Sequence, residues 1–101
     1  MTIAGTWQLI VATPLGKQAV VLELAETDDG ITGVASGNGE QVPLLDPVRD
    51  GDRLTWGQAV TRPMRLHLRF AVTVAGDTLT GTACAGALPV SRVTGSRAAT
   101  R

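Results

Sequence analysis

The chain has no tyrosine, and only one phenylalanine, one cysteine, one histidine and one lysine among its 101 residues. Each shortage excludes something. A lone Cys84 rules out an internal disulfide and fits a reducing compartment. One His and one Cys fall short of the three or four ligands of a zinc site, so no metal centre is expected. With aromatics at 3%, the core has to be aliphatic. Acidic and basic residues balance at nine each, so no basic excess is available for nucleic acid or an anionic membrane. No apolar run approaches the ~18 residues of a membrane span. Met1-Thr2-Ile3-Ala4-Gly5 leads into β-rich sequence without a basic or apolar leader region, and the expectation is a cytoplasmic protein. Nucleophile elbow, phosphate-cradling glycine loop and dinucleotide fingerprint are all missing, so no cofactor is expected.

What the chain does have is regular punctuation. Hydrophobic residues make up 44%, enough for one modest core, and 1–101 reads as a single domain. No window keeps apolar residues at helical spacing for three turns. Instead, β-rich runs alternate with turn residues at Pro14-Leu15-Gly16, Asp28-Asp29-Gly30, Asn38-Gly39, Asp50-Gly51-Asp52, Arg62-Pro63, Gly76-Asp77 and Gly86. Seven turns predict eight strands, over 5–13, 16–26, 30–37, 40–49, 53–61, 64–75, 77–85 and 88–97. Ile31-Thr32-Gly33, Leu54-Thr55-Trp56 and Leu79-Thr80-Gly81 echo one another after acidic turns, 23 and 25 residues apart, as repeated hairpins would. The predicted fold is all-β: an eight-stranded antiparallel up-and-down meander closed into a barrel, which leaves no exposed sheet edge.

A meander sorts its turns into two ends. The acidic turns at 28–30, 50–52 and 76–77 gather at one end, and those at 14–16, 38–39, 62–63 and 86 at the other. Trp7 begins the first strand and Arg97 closes the last, so both fall at the acidic end, on strands that are neighbours in a closed barrel. Alternation then assigns faces. Met64, Leu66, Leu68, Phe70, Val72 and Val74 point inward, opposite Arg65, His67 and Arg69. Trp7, Leu9 and Val11 share the interior with Gln18, Val20, Leu22 and Leu24, and with Leu54, Trp56, Gln58 and Val60. Ile31, Gly33 and Ala35, and Leu79, Gly81 and Ala83, join the inner face, where the small residues among them are predicted to leave room for a ligand. In the last strand Val93, Gly95 and Arg97 take one face, Leu88 and Val90 the other, and which is inner stays open.

Gly5-Thr6-Trp7 answered by Arg97, together with the Ile31-Thr32-Gly33, Leu54-Thr55-Trp56 and Leu79-Thr80-Gly81-Thr82 segments, resembles the calycins, the lipocalin- and avidin-type barrels. The resemblance implies a structural Trp7–Arg97 plug and a lumen carrying a small apolar or amphipathic molecule. With no Tyr and two Trp, biotin itself is not expected. The mouth would lie at the end opposite the plug, with Thr13, Gln18, Val20, Asn38, Trp56, Gln58, Arg62, Met64 and Leu66 as candidate ligand-binding residues. A cofactor-free cyclase, isomerase or lyase is the alternative, using Gln18, Gln58, Arg62 and an inward Asp46. A third reading is a filled barrel with a purely structural role.

Other residues read plainly. His67, flanked by Arg65 and Arg69, has no sequence neighbour to orient it as a base and is expected at a solvated or contact surface. Cys84 sits on an outward register without a partner histidine, an inert position. The acidic turns lack the twelve-residue loop and closing Glu of a calcium site. Ile10, Ala12, Ala19, Val21, Ala59 and Ala71 point outward and predict a homodimer or homotetramer packed through the barrel walls.

Overall fold

The structure, a computed structural model, describes residues 4–13, 16–28, 30–37, 39–61, 65–86 and 90–98, with Val60 and Leu66 described in backbone only. Among these residues the chain forms nine strands: β1 (Gly5–Thr13), β2 (Gly16–Thr27), β3 (Gly30–Gly37), β4 (Glu40–Pro43), β5 (Leu45–Asp50), β6 (Arg53–Val60), β7 (Leu66–Ala75), β8 (Thr78–Cys84) and β9 (Ser91–Arg97). They make one antiparallel sheet in the order β4-β3-β2-β1-β9-β8-β7-β6-β5. This is the expected up-and-down meander, curled into a nearly closed barrel.

The extra strand comes from a break in the expected run 40–49. Pro43-Leu44-Leu45-Asp46-Pro47 holds two residues without an N–H, and proline within a sheet belongs at edges and bulges. The Leu44 N–H donates to Gly33 O at 3.0 Å, extending the pairing with β3 by one residue. Leu45 then pairs with Gly57 of β6, and a bulge follows between Leu45 and Val48. Within it Asp46 takes φ +48°, a left-handed conformation that Asp tolerates better than most residues. One strand thus changes partner midway, its first half bordering β3 and its second half β6.

Side chains bridge the two gaps this switch leaves. On the β4 side, Thr61 donates its N–H to Glu40 Oε1 and Oε2 at 3.0 and 3.1 Å, and its hydroxyl to Oε2 at 2.7 Å. On the β5 side, Arg49 meets Glu26 of β2 at 3.2 Å. A ladder row followed from Glu40 through the other strands arrives at Asp52, a strand's length below the Thr61 that Glu40 touches. That offset is the stagger a closed barrel requires.

The core is the inner face predicted from alternation. Trp7, Leu22, Leu54 and Val93 are fully buried, with Leu9, Leu24, Ile31, Trp56, Phe70, Val72, Val74 and Leu79 close to it. Register decides the last strand: Val93 lies opposite Val11 and Arg97 opposite Trp7, so Ser91, Val93, Gly95 and Arg97 face inward while Val90 is exposed. The glycines do not provide the expected room. A Cβ on Gly33 would lie 2.8 Å from Leu24 Cδ2 and 2.9 Å from Leu44 Cδ1, and one on Gly81 would collide with the Ala71 carbonyl oxygen. Their bare backbone admits neighbouring leucines and the close approach of β7 and β8.

Candidate functional site

The end at which Trp7 sits is sealed. The Arg97 guanidinium lies 4.5 Å from the Trp7 ring centroid. Its Nη1 donates to Ala4 O at 2.6 Å, and its Nε to Asp77 Oδ1 at 3.0 Å. Stacking of this kind is worth about 0.5–2 kcal/mol. The Asp77 side chain is 82% exposed, so its ion pair adds little. Gly5 completes the plug for two reasons. Its φ of +132° is open to glycine, and a Cβ there would meet Arg97 Nη1 at 3.0 Å.

The other half of the barrel is less filled. Gln18, Val20, Val42 and Leu68 all take inner positions yet are only half-buried, although Leu22 and Leu24 on β2 and Phe70, Val72 and Val74 on β7, further toward the plug, are buried. Between this region and the plug lies Trp56, stacked on Phe70 with ring centroids 4.9 Å apart and planes within 4°. Two residues on, Gln58 shares the inner face and is 4% exposed. The Trp56 Nε1–H donates to Gln58 Oε1 at 2.8 Å. An indole nitrogen only donates, so the bond also settles which end of the amide is oxygen. The Gln58 Nε2 therefore points elsewhere, and among the described residues it has no acceptor. No fully enclosed side-chain N or O atom lacks a partner there, so this nitrogen is not fully enclosed. Closing such a donor away unpaired would cost about 1–3 kcal/mol. Ser91, 9% exposed, also faces inward from β9 and was not anticipated; only the register against β1 identifies its side.

The candidate ligand-binding residues thus divide. Gln18, Val20, Trp56 and Gln58 all take inner-face positions, on β2 and β6. The Thr13 hydroxyl instead donates to Gly16 O at 2.6 Å, closing the β1–β2 turn. Asn38, Arg62 and Met64 lie outside the described residues, as does the Leu66 side chain. Asp46, the expected inward acid, is exposed, because the bulge turns it off the inner register. Among the described residues the carboxylate nearest the mouth is Glu40, which holds Thr61. His67 is exposed, and Cys84 is a half-buried free thiol in register with Arg69. Among the described residues no group of His, Cys, Asp or Glu is placed to hold a metal. A shallow groove of about 350 Å³ lies along Glu23, Leu24, Ala25, Thr32, Gly33 and Val34. It follows the β2–β3 wall, contains none of the candidate residues, and is open sheet surface.

The chain matches no protein-family model, and neither a curated protein nor a solved structure is detectably similar to it.

Proposed function

We propose that the barrel binds a small apolar or amphipathic molecule in the half of its lumen away from Trp7 and Arg97. The observation that carries this is the burial gradient. Trp7, Leu22 and Leu54 are fully buried toward the plug, whereas Val20, Val42 and Leu68 are only partly buried toward the other end. Apolar surface turned inward but left uncovered is what a hydrophobic ligand gains by covering, at about 25 cal/mol per Å². The Gly5-x-Trp7 and Arg97 pairing further supports kinship with the calycins, whose barrels hold ligands in this way.

Binding is preferred over catalysis on the chemistry of the lining. Thr13, Gln18, Gln58 and Ser91 are its described polar side chains toward the mouth, apart from Glu40 at the rim, and a cyclase, isomerase or lyase would need an acid or base that Asp46 no longer offers. The test is saturable binding of the uncharged dye N-phenyl-1-naphthylamine. Leu68→Trp, which fills the lumen near its mouth, should abolish binding while the protein stays folded. Dye binding indifferent to Leu68→Trp would defeat the proposal. The same proposal includes self-association through the β1–β2 wall, where Ile10 and Val21 are 41% and 39% exposed beside Ala12 and Ala19. Light scattering should give a dimer or tetramer that Ile10→Lys dissociates.

A further inference from the structure

Among the described residues, Gln58 is a strongly buried inner side chain whose hydrogen-bonding capacity is both half-used and oriented. Its Oε1 is held by Trp56, and its Nε2 is not fully enclosed and has no acceptor among the described residues. Around it the inner face is largely apolar: Leu68 lies directly opposite on β7, and Val20, Val42, Ala35 and Ala83 face the same interior, with Gln18 and Ser91 as further polar inner residues. A group that can only donate, set in largely aliphatic walls, selects for an acceptor. An ammonium would meet no carboxylate at Gln58, and a hydrocarbon would leave the amide N–H groups without a partner. We infer that the molecule the barrel takes carries a carbonyl oxygen on an apolar frame, as a ketone, aldehyde or ester does, and docks that oxygen on the Gln58 Nε2. This rests on the luminal binding proposed above and adds the chemical class and the orientation of the ligand.

Two probes differing only at this point test it. They are 2-nonanone and 2-methyl-1-nonene, in which a methylene replaces the carbonyl oxygen. Binding of both to the unmodified protein is measured by displacement of N-phenyl-1-naphthylamine. The ketone should bind roughly ten- to hundredfold more tightly, because one site hydrogen bond and the desolvation of one buried amide separate the two. In amide NMR spectra the ketone, and not the alkene, should move the Gln58 side-chain NH₂ signals. Gln58→Met should equalise the two probes while Ser91→Ala keeps the difference. If Gln58→Met fails to fold, the wild-type ratio and the NMR shift still decide. Equal affinities with no movement of the Gln58 signals would overturn the carbonyl assignment, leave luminal binding standing, and mean that water satisfies the amide. Binding of neither probe nor the dye would overturn both.

Discussion

Leu22 and Val20 are two residues apart on β2 and both face inward, yet Leu22 is fully buried and Val20 is not. The contrast holds around the barrel. Toward the plug, Leu24, Ile31, Leu54 and Leu79 are buried in one cluster with Trp7, and glycine at 33 and 95 lets neighbouring leucines enter. Toward the mouth, Gln18, Val20 and Leu68 hold inner positions and are only half-buried. The same alternation thus builds a fully buried core toward one end and leaves several inner positions only half-covered toward the other. What differs is side-chain volume, and with it how completely each inner position is covered.

The sharpest way to break this comparison is to truncate one residue at each end. Leu22→Ala should cost about 3 kcal/mol in chemical denaturation, because transfer and cavity terms both apply in a packed core. Val20→Ala should cost under about 1 kcal/mol, since its surroundings are only partly filled. Equal losses at the two positions would mean that the mouth half is packed as tightly as the plug.

Next in size is the plug itself. Arg97→Ala removes the stacking on Trp7 and the bond to Ala4 O, and should destabilise by about 2 kcal/mol. Arg97→Lys should recover only part of that, since an ammonium lacks the planar fork. Full recovery by Lys would show that charge alone matters there. A smaller effect is expected at the seam. Glu40→Ala should lower stability by about 1 kcal/mol and speed hydrogen exchange at the Thr61 amide, whose acceptor it removes. Unchanged exchange would dismiss Glu40 as the clasp. The smallest is Arg49→Gln, expected below about 0.5 kcal/mol and to vanish in high salt, because the Arg49 and Glu26 side chains are both about a third exposed. A salt-independent loss above 1 kcal/mol would contradict that estimate.

Much of this architecture was legible in the residue order. Strand positions follow from turn residues, and the Trp7–Arg97 contact from counting strands, because a meander alternates ends with each hairpin. The broken strand was not read, although its signal was present. Pro43 and Pro47 within one expected strand mark a place where ladder hydrogen bonding must lapse, and Asp46 lost its inward register there. The glycines at 33 and 81 were read as space because sequence does not show which neighbours reach into a missing side chain. Of the candidate site, Gln58 was visible as a polar residue on an apolar face. Its partner Trp56 sits two residues earlier on that same face, a spacing that could have been read as a hydrogen bond.

By itself the sequence determined the all-β class, the hairpin order, the inner and outer faces, and the pairing of Gly5-x-Trp7 with Arg97. All of these depend on local alternation and turn chemistry. Tertiary structure alone decided the change of partner between β4 and β5, the Glu40 and Arg49 clasps across the resulting gaps, and the inner side of β9. It also decided the direction in which the Gln58 amide is aimed. These depend on barrel stagger and on contacts between strands far apart in the chain, which no local pattern records.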